Sequence, residues 1–368
     1  MTMSTPAPPR NRRGFKVAII CALPLEAESV RSVFDKCWED EDKHYGKVDG
    51  DQNTYTTGVI GKHNVVLAHM PGMGNTGASA VAVGLHSSFP DVQLALVVGI
   101  CGVMPTHPKT QEEIVLGDIV ISTAVIQYDF GRQYPNGFQR KKENEGGIGM
   151  ARPEIRSFIN MLQVGQNRKR LTRNLALLLQ SESFQGQFPA AKYPGASRDR
   201  LYEASYIHQH RPGVSCDKCN NNLETCSKSC KEVGCEEEKL IVRNRHSFPK
   251  TKDLALHPED APFIHFGRFG SANTVMKSGI DRDRVAQCDE VIAFEMEAAG
   301  VWDQHPTIVI KAACDYADSH KSKDWQAYAT AMAAACVKVL LKEWSILDQL
   351  VDEGEIFLSS ARVHSNSC

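Results

Sequence analysis

Three acidic positions close together in sequence carry the strongest chemical signal in the chain. Val291-Ile-Ala-Phe-Glu295-Met-Glu297-Ala-Ala-Gly300 is an apolar run leading into two carboxylates two residues apart, and Thr307-Ile-Val-Ile-Lys-Ala-Ala-Cys-Asp315 is a β-branched run ending in a third. A carboxylate that follows a buried strand needs a partner: a ligand hydroxyl, a cation or its own proton. Acids at strand ends are therefore candidates for chemistry. The competing reading is structural, with Glu295 and Glu297 opening a helix over 296–304, where negative charge suits the helix dipole.

Several separated segments in matching order, Glu295-Met-Glu297-Ala-Ala-Gly300 and Cys314-Asp315-Tyr-Ala-Asp318 among them, resemble the nucleoside phosphorylase and nucleosidase family. That family includes methylthioadenosine/adenosylhomocysteine nucleosidase and the hexameric-type purine nucleoside phosphorylases, and its fungal members are the most similar. The resemblance runs from about Lys16 to about Lys342 and is interrupted by an insertion. It implies a single α/β domain over 15–347, a mixed sheet flanked by helices, outside which 1–14 reads as a disordered tail and 348–368 as a C-terminal tail.

Length and composition are compatible with this. A chain of 368 residues can hold one large α/β domain with an insertion, or two domains. A net charge of −2 and a pI near 6.7, with dispersed lysines and arginines, offer no basic face for nucleic acid. No apolar stretch is long enough to span a bilayer, so no membrane partner is expected. The first residues, MTMSTPAPPRNRRG, lack the apolar core of a secretory signal. The expected location is cytoplasmic, and the 12 cysteines then read as reduced thiols or metal ligands rather than a disulfide framework.

The elements that must position the acids follow in order. Phe15-Lys-Val-Ala-Ile-Ile-Cys-Ala-Leu reads as a buried strand, and Pro24 opens a helix carrying Glu26 and Glu28. From the residues alone Glu26 is a solvated first-turn carboxylate. The resemblance to the nucleosidases makes it the acid that positions and activates water. The hexameric-type phosphorylases carry a Gly-Asp-Pro segment with a nearby arginine for phosphate at this place, and the chain lacks it.

Thr54–Val59 and Asn64–His69 read as a hairpin turning at Gly61. Gly72-Met-Gly74-Asn-Thr-Gly77 then leads into a helix, formally a dinucleotide fingerprint. The following strand, Leu94-Ala-Leu-Val-Val-Gly-Ile, ends in Gly99-Ile-Cys101-Gly102 rather than in a ribose-binding acid, so that reading is rejected. The resemblance places the Gly74 loop and the Cys101-Gly102 turn along the site. Cys101 stands where the family usually carries a hydroxyl residue or glycine, and a thiol is a poor phosphate ligand. Asp118 reads as a turn former.

Tyr128-Asp-Phe-Gly-Arg132, with Arg140, Lys141 and Lys142, mixes aromatics with cations, so it could cap a heterocycle, hold phosphates or simply form a solvated turn. From about Ala151 to about Lys252 the chain departs from compact relatives. Within this region lies Cys216-x2-Cys219-x6-Cys226-x3-Cys230-x4-Cys235. The first pair has zinc-knuckle spacing and four thiolates can close a tetrahedral site, but the remaining spacing fits no zinc class well, so a polar loop of thiols or partial disulfides is expected ahead of a structural zinc. No catalytic metal and no cofactor are expected. Further on, Pro262–Ser271 reads as a strand followed by a turn with Asn273. By position in the family Val275 and Met276 lie against the purine, although members selective for adenine often carry Phe where Val275 stands. Asp324–Leu347 reads as a long helix with a small-residue face.

What the resemblance implies is an N-glycosyl hydrolase: a purine nucleosidase releasing base and ribose. Asp315 matches the general acid, Glu26 the water-activating acid, and Glu297 the ribose hydroxyl anchor. Met296 packs on the sugar, with Glu295 beside it. Two acids with different jobs call for separated pKa values, with Asp315 held partly protonated and Glu26 ionised. The alternatives on the same fold are phosphate-dependent cleavage, or cleavage of a nucleotide such as ATP. A binding module without turnover remains the alternative from another class. A homo-oligomer is expected, with His320, Lys321 and the Cys-rich insertion as candidate contacts.

Overall fold

The computed structural model describes residues 6–141, 149–189, 191–211, 228–246 and 262–344. Among these, the strands are β1 (Val17–Cys21), β2 (Lys36–Cys37), β3 (Thr54–Ile60), β4 (His63–His69), β5 (Leu94–Val103), β6 (Ile119–Gln127), β7 (Gly131–Tyr134), β8 (Gly137–Arg140), β9 (Ile264–Ser271), β10 (Val291–Glu295) and β11 (Thr307–Asp315). The helices are α1 (Pro24–Ser32), α2 (Asn75–Ser88), α3 (Pro153–Gln163), α4 (Gly165–Gln180), α5 (Glu182–Gln187), α6 (Cys230–Val233), α7 (Gly279–Asp289), α8 (Ala298–Trp302) and α9 (Gln326–Glu343).

One mixed sheet runs in the order β10-β9-β6-β11-β5-β1-β4-β3-β2. Parallel pairs join β1 to β4 and β5, and β5 to β11. The entire run of β1 is buried, as are the nine residues of β11. Both faces of these central strands are covered, which explains why they read as continuous apolar runs rather than alternating ones. Strand β10 pairs with β9 on one side and, through Ala293 and Phe294, antiparallel with β5 on the other. That half of the sheet therefore curls back on itself and gathers the ends of β5, β10 and β11 in one place. The acids singled out by sequence lie at these ends.

Helix α9 lies on the sheet with Ala331, Ala333, Ala334 and Ala335 all buried, so small side chains permit close approach of its backbone to the strands. Its observed span begins at Gln326. The expected hairpin pairs Val59 with Asn64 and Ile60 with His63. Segment 131–140, open between a cap and a solvated turn, forms the separate β7–β8 ribbon.

Two expectations change. Residues 6–14, expected within a tail, are anchored: Tyr45 Oη donates to the Pro9 carbonyl at 3.1 Å, and Arg13 pairs with Asp91 at 3.0 Å. The helix expected over 296–304 is shorter, Ala298–Trp302, because Glu297 keeps non-helical torsions at its N-cap. The Cys216, Cys219 and Cys226 positions and the expected tail at 348–368 fall outside the described residues, as does Lys142. No helix of the described residues is long and apolar enough to cross a membrane.

Candidate active site

A cleft at the ends of β5, β10 and β11 is lined by Glu26, Glu295, Met296, Glu297 and Asp315 together with Cys101, Gly102, Val275 and Met276. Residues nearly 300 positions apart in sequence therefore meet. Gly74 does not line the cleft. It sits at the N-cap of α2, where the amide of Asn75 donates to Asn273 Oδ1 at 2.9 Å, and its neighbour Met73 supplies the cleft wall.

Glu26 is 2% exposed and lies in the first turn of α1, where Pro24 needs no hydrogen-bond acceptor for its nitrogen. Its Oε2 accepts from the amides of Ala22 and Leu23 at 3.0 and 2.9 Å, and its Oε1 accepts from the amide of Ile100 at 2.9 Å. Close approach of β5 makes this possible. A Cβ on Gly99 would stand 1.8 Å from Glu26 Oε1, so a larger residue there would require the carboxylate or the strand to shift. Burial pushes the Glu26 carboxyl up from the ordinary range, Lys311 opposes that, and Glu297 adds to it.

Lys311 is the residue the sequence reading passed over. It lies in the middle of β11, is 1% exposed, and places Nζ 2.9 Å from Glu297 Oε2 and 3.8 Å from Glu26 Oε1. Its pKa is raised: burial works against the charge, and the carboxylates of Glu297, Glu26 and Glu295 overcome it. A lysine inside an otherwise apolar strand was the available signal, because such a side chain must have an anionic partner.

The two neighbouring acids divide the readings left open for them. Glu295 accepts from the amides of Glu297 and Ala298, each at 2.9 Å, and so caps the start of α8. Burial, then the charge of Glu297, push its carboxyl up to about 7. Glu297 turns instead to Lys311 inside the cleft.

Asp315 ends β11 with Oδ1 accepting from the Ala317 amide at 2.8 Å and Oδ2 paired to Lys321 Nζ at 3.1 Å. The Cys314 thiol also donates to Oδ2, at 3.3 Å. Gly102 must remain small, since a Cβ there would stand 2.7 Å from Asp315 Oδ1. Lys321 lines the cleft of its own chain, and His320, 2% exposed at its side chain, stacks on Tyr202 at 4.1 Å in a three-ring cluster completed by Tyr206. Burial acts against the Lys321 ammonium, and Asp315 more than compensates, so its pKa is raised. Burial pushes Glu26 toward its protonated form while Lys311 opposes it, and Lys321 stands beside Asp315.

The thiol of Cys101 is raised far above its ordinary pKa by burial, as an inert side chain requires. Phe294 and Tyr128 add aromatic walls, meeting edge to face at 5.9 Å. Asp118 is remote from the cleft: it accepts from the Val115 and Phe263 amides and pairs with Arg245. Arg140 is committed to Asp289, and Arg132, Arg140 and Lys141 are not among the residues lining the cleft.

Residues 16–166 match the model of the phosphorylase superfamily. Over these residues the chain is similar to that superfamily. A nucleotide-binding leucine-rich repeat (NLR)-like protein of Hyaloscypha variabilis is 29% identical over 337 residues, a match covering 89% of this chain. The chain spans only 29% of that relative's length. Among solved structures, an S-adenosylhomocysteine nucleosidase of Streptococcus pyogenes is similar with a TM-score of 0.52 at 13% identity, covering 90% of this chain and 98% of that one. A 5′-methylthioadenosine/S-adenosylhomocysteine nucleosidase of Neisseria meningitidis gives a TM-score of 0.50 at 16% identity, covering 89% and 98%. Futalosine hydrolase of Helicobacter pylori gives 0.50 at 13%, covering 90% and 98%. At these identities the likeness establishes the phosphorylase/nucleosidase fold: a mixed α/β domain with helices flanking one sheet.

Proposed function

We propose that this chain is a purine nucleoside N-ribohydrolase of the phosphorylase superfamily, cleaving the N-glycosidic bond with water to give free base and ribose. The observation that carries the reading is the charge pattern of the cleft. Glu26, Glu295, Glu297 and Asp315 face only Lys311 and Lys321, and each lysine is engaged by the cleft's own carboxylates. Phosphorolysis needs a site for a multiply charged anion beside the sugar. Among the described residues lining the cleft, no cation is left for one. Excess negative charge instead favours the cationic, oxocarbenium-like sugar that forms as the glycosidic bond breaks.

Each residue has a role consistent with its geometry. Asp315 gives a proton to the imidazole-side nitrogen of the purine, making the base a better leaving group. Glu297, held by Lys311, accepts from the ribose hydroxyls. Glu26 takes a proton from the attacking water, and the rise in its proton affinity on burial makes it a stronger base. Met296 excludes bulk water from the sugar, while Phe294, Tyr128, Val275 and Met276 enclose the base. The nucleosidases and the hydrolase among the solved neighbours supply precedents for hydrolysis on this fold. The substrate in this reading is a nucleoside rather than ATP, because the arginines and lysine of the β7–β8 ribbon do not line the cleft.

The test incubates the protein with adenosine, inosine, guanosine and ATP, each with and without inorganic phosphate, and identifies the sugar product. Free ribose formed without phosphate is the expected result. Ribose 1-phosphate formed only with phosphate would overturn hydrolysis, and ribose triphosphate from ATP would overturn the nucleoside assignment.

A further inference from the structure

Outside the cleft, the described part of the insertion brings together donor atoms that the cysteine spacing alone did not link. His208 Nδ1 stands 3.6 Å from Cys230 Sγ and 3.5 Å from Cys235 Sγ, and the ligand atoms of these three residues lie within 4.8 Å of one another. Two donors on one zinc ion, a sulfur at about 2.3 Å and a nitrogen at about 2.1 Å with a tetrahedral angle between them, lie about 3.6 Å apart. Both histidine-to-sulfur distances agree with that separation.

The histidine is prepared for this role. Its Nε2 stands 3.0 Å from the carbonyl of Lys228, an acceptor, so Nε2 carries the proton and Nδ1 presents its lone pair to the two sulfurs. Metal-binding histidines are usually oriented in this way, by a backbone carbonyl on the second ring nitrogen. His208 is also fixed in place: it is 4% exposed, its amide donates to Ser319 Oγ at 2.9 Å, and its ring meets His320 edge-on at 5.5 Å.

The cysteines are arranged by a local turn. Ser229 caps α6, Cys230 opens it, and Gly234 ends it in the left-handed region at φ 75°. The Cys235 amide then returns to the Cys230 carbonyl at 2.9 Å, which brings the second thiol back beside the first. A Cys-x4-Cys pair lies within the spacing seen in tetrahedral zinc sites. Arg200 and Arg211 donate to the hydroxyls of Tyr202 and Tyr206 at 2.8 and 3.1 Å, which holds the aromatic residues beside the site.

We propose that His208, Cys230 and Cys235 are ligands of a structural zinc ion that fastens the insertion to the segment following β11. Thiolate and imidazole donors together select zinc over the hard, oxygen-seeking cations. Binding displaces the thiol protons to solvent and leaves zinc as the divalent ion, with no change of oxidation state. The mechanical consequence reaches the cleft. His208 holds Ser319, the Tyr202–His320 stack at 4.1 Å holds the next residue, and Lys321 after it pairs with Asp315. The site is independent of the proposed hydrolysis and would stand if the substrate were different.

The full chain, purified without chelator or nickel resin, is assayed for metal by elemental mass spectrometry and then exchanged with cobalt. Stoichiometric zinc and a thiolate-to-cobalt charge-transfer band are expected. Chelation should lower the melting temperature of the unmodified protein, which keeps the test valid even if variants fold poorly. His208→Gln, Cys230→Ser and Cys235→Ser should each weaken zinc binding by more than the roughly 10–100-fold lost with an outer-shell partner. Zinc-free protein that takes up cobalt without the band would overturn the proposal, as would full zinc retention in all three variants or a Cys230–Cys235 disulfide in freshly purified protein.

Discussion

Lys321 Nζ stands 3.1 Å from Asp315 Oδ2, and the carboxylate's other oxygen is held by the Ala317 amide. The proposed proton donor therefore sits in a fixed position with a cation beside it. Asp315→Asn keeps the shape and the Ala317 hydrogen bond but removes the transferable proton. Turnover is expected to fall by about 10²–10⁴-fold, the usual worth of a general acid. Lys321 is about one-quarter exposed at its side chain, so its pairing partner can be lost without unfolding the chain. Steady-state kinetics alongside thermal melts check this, and an Asn variant with full activity and unchanged stability would remove Asp315 from the mechanism.

Glu26 and Gly99 form a second pair with a sharp steric relationship. Gly99→Ala places a methyl group 1.8 Å from Glu26 Oε1, so either the carboxylate or β5 must move. The expected result is a loss of stability on the order of 1–3 kcal/mol, the usual range for overpacking, together with a loss of activity. Glu26→Gln should instead lower kcat by about 10²–10⁴-fold while leaving KM nearly unchanged. Comparing kcat, KM and melting temperature for the two variants separates the chemical role of the acid from the packing of its pocket.

The sequence carried the acids well and their cations poorly. Glu26, Glu297 and Asp315 occur in segments whose order matches a known family, and each follows or ends a buried strand, so local pattern and resemblance pointed the same way. Lys311 and Lys321 were given no place in the cleft because a lysine's partner is set by tertiary contacts: Glu26 and Lys311 are separated by most of the chain yet stand 3.8 Å apart. Of the aromatic wall, Tyr128 lay in a segment read as able to cap a heterocycle, whereas Phe294 was missed for a similar reason. Phe294 reads as one more apolar residue of β10 until its antiparallel pairing with Gly102 brings it to the cleft. The thiols of the insertion could be counted in sequence, but the histidine facing them could not be assigned.

Lys311 offers a test of how the carboxylates tolerate one another. Its ammonium lies 2.9 Å from Glu297 and 3.8 Å from Glu26, with all three side chains almost fully buried. Lys311→Met leaves buried negative charge uncompensated and is expected to destabilise the fold by about 3–5 kcal/mol. Adding Glu297→Gln removes part of that charge, so the double variant should be more stable than Lys311→Met alone. Urea unfolding of the four proteins in a double-mutant cycle measures the coupling, and strict additivity would show that the pair is not energetically linked.

Glu295 sets a pH dependence of stability whose direction is fixed by its environment. Its carboxyl is pushed up to about 7 in the folded chain, first by burial and then by Glu297, against about 4.3 when unfolded. Below the unfolded value the group is protonated in both states and imposes no penalty. As pH rises from about 4.3 through 7, the unfolded chain loses this proton before the folded chain does, so the contribution to stability falls. Each unit of pKa difference corresponds to about 1.4 kcal/mol. Glu295→Gln can still accept the Glu297 and Ala298 amides but cannot titrate. Its stability relative to the unmodified protein should therefore improve by more than about 1 kcal/mol between pH 4.5 and 7.5. Urea midpoints measured across that interval provide the check, and parallel pH curves for the two proteins would show that the Glu295 carboxyl is not shifted.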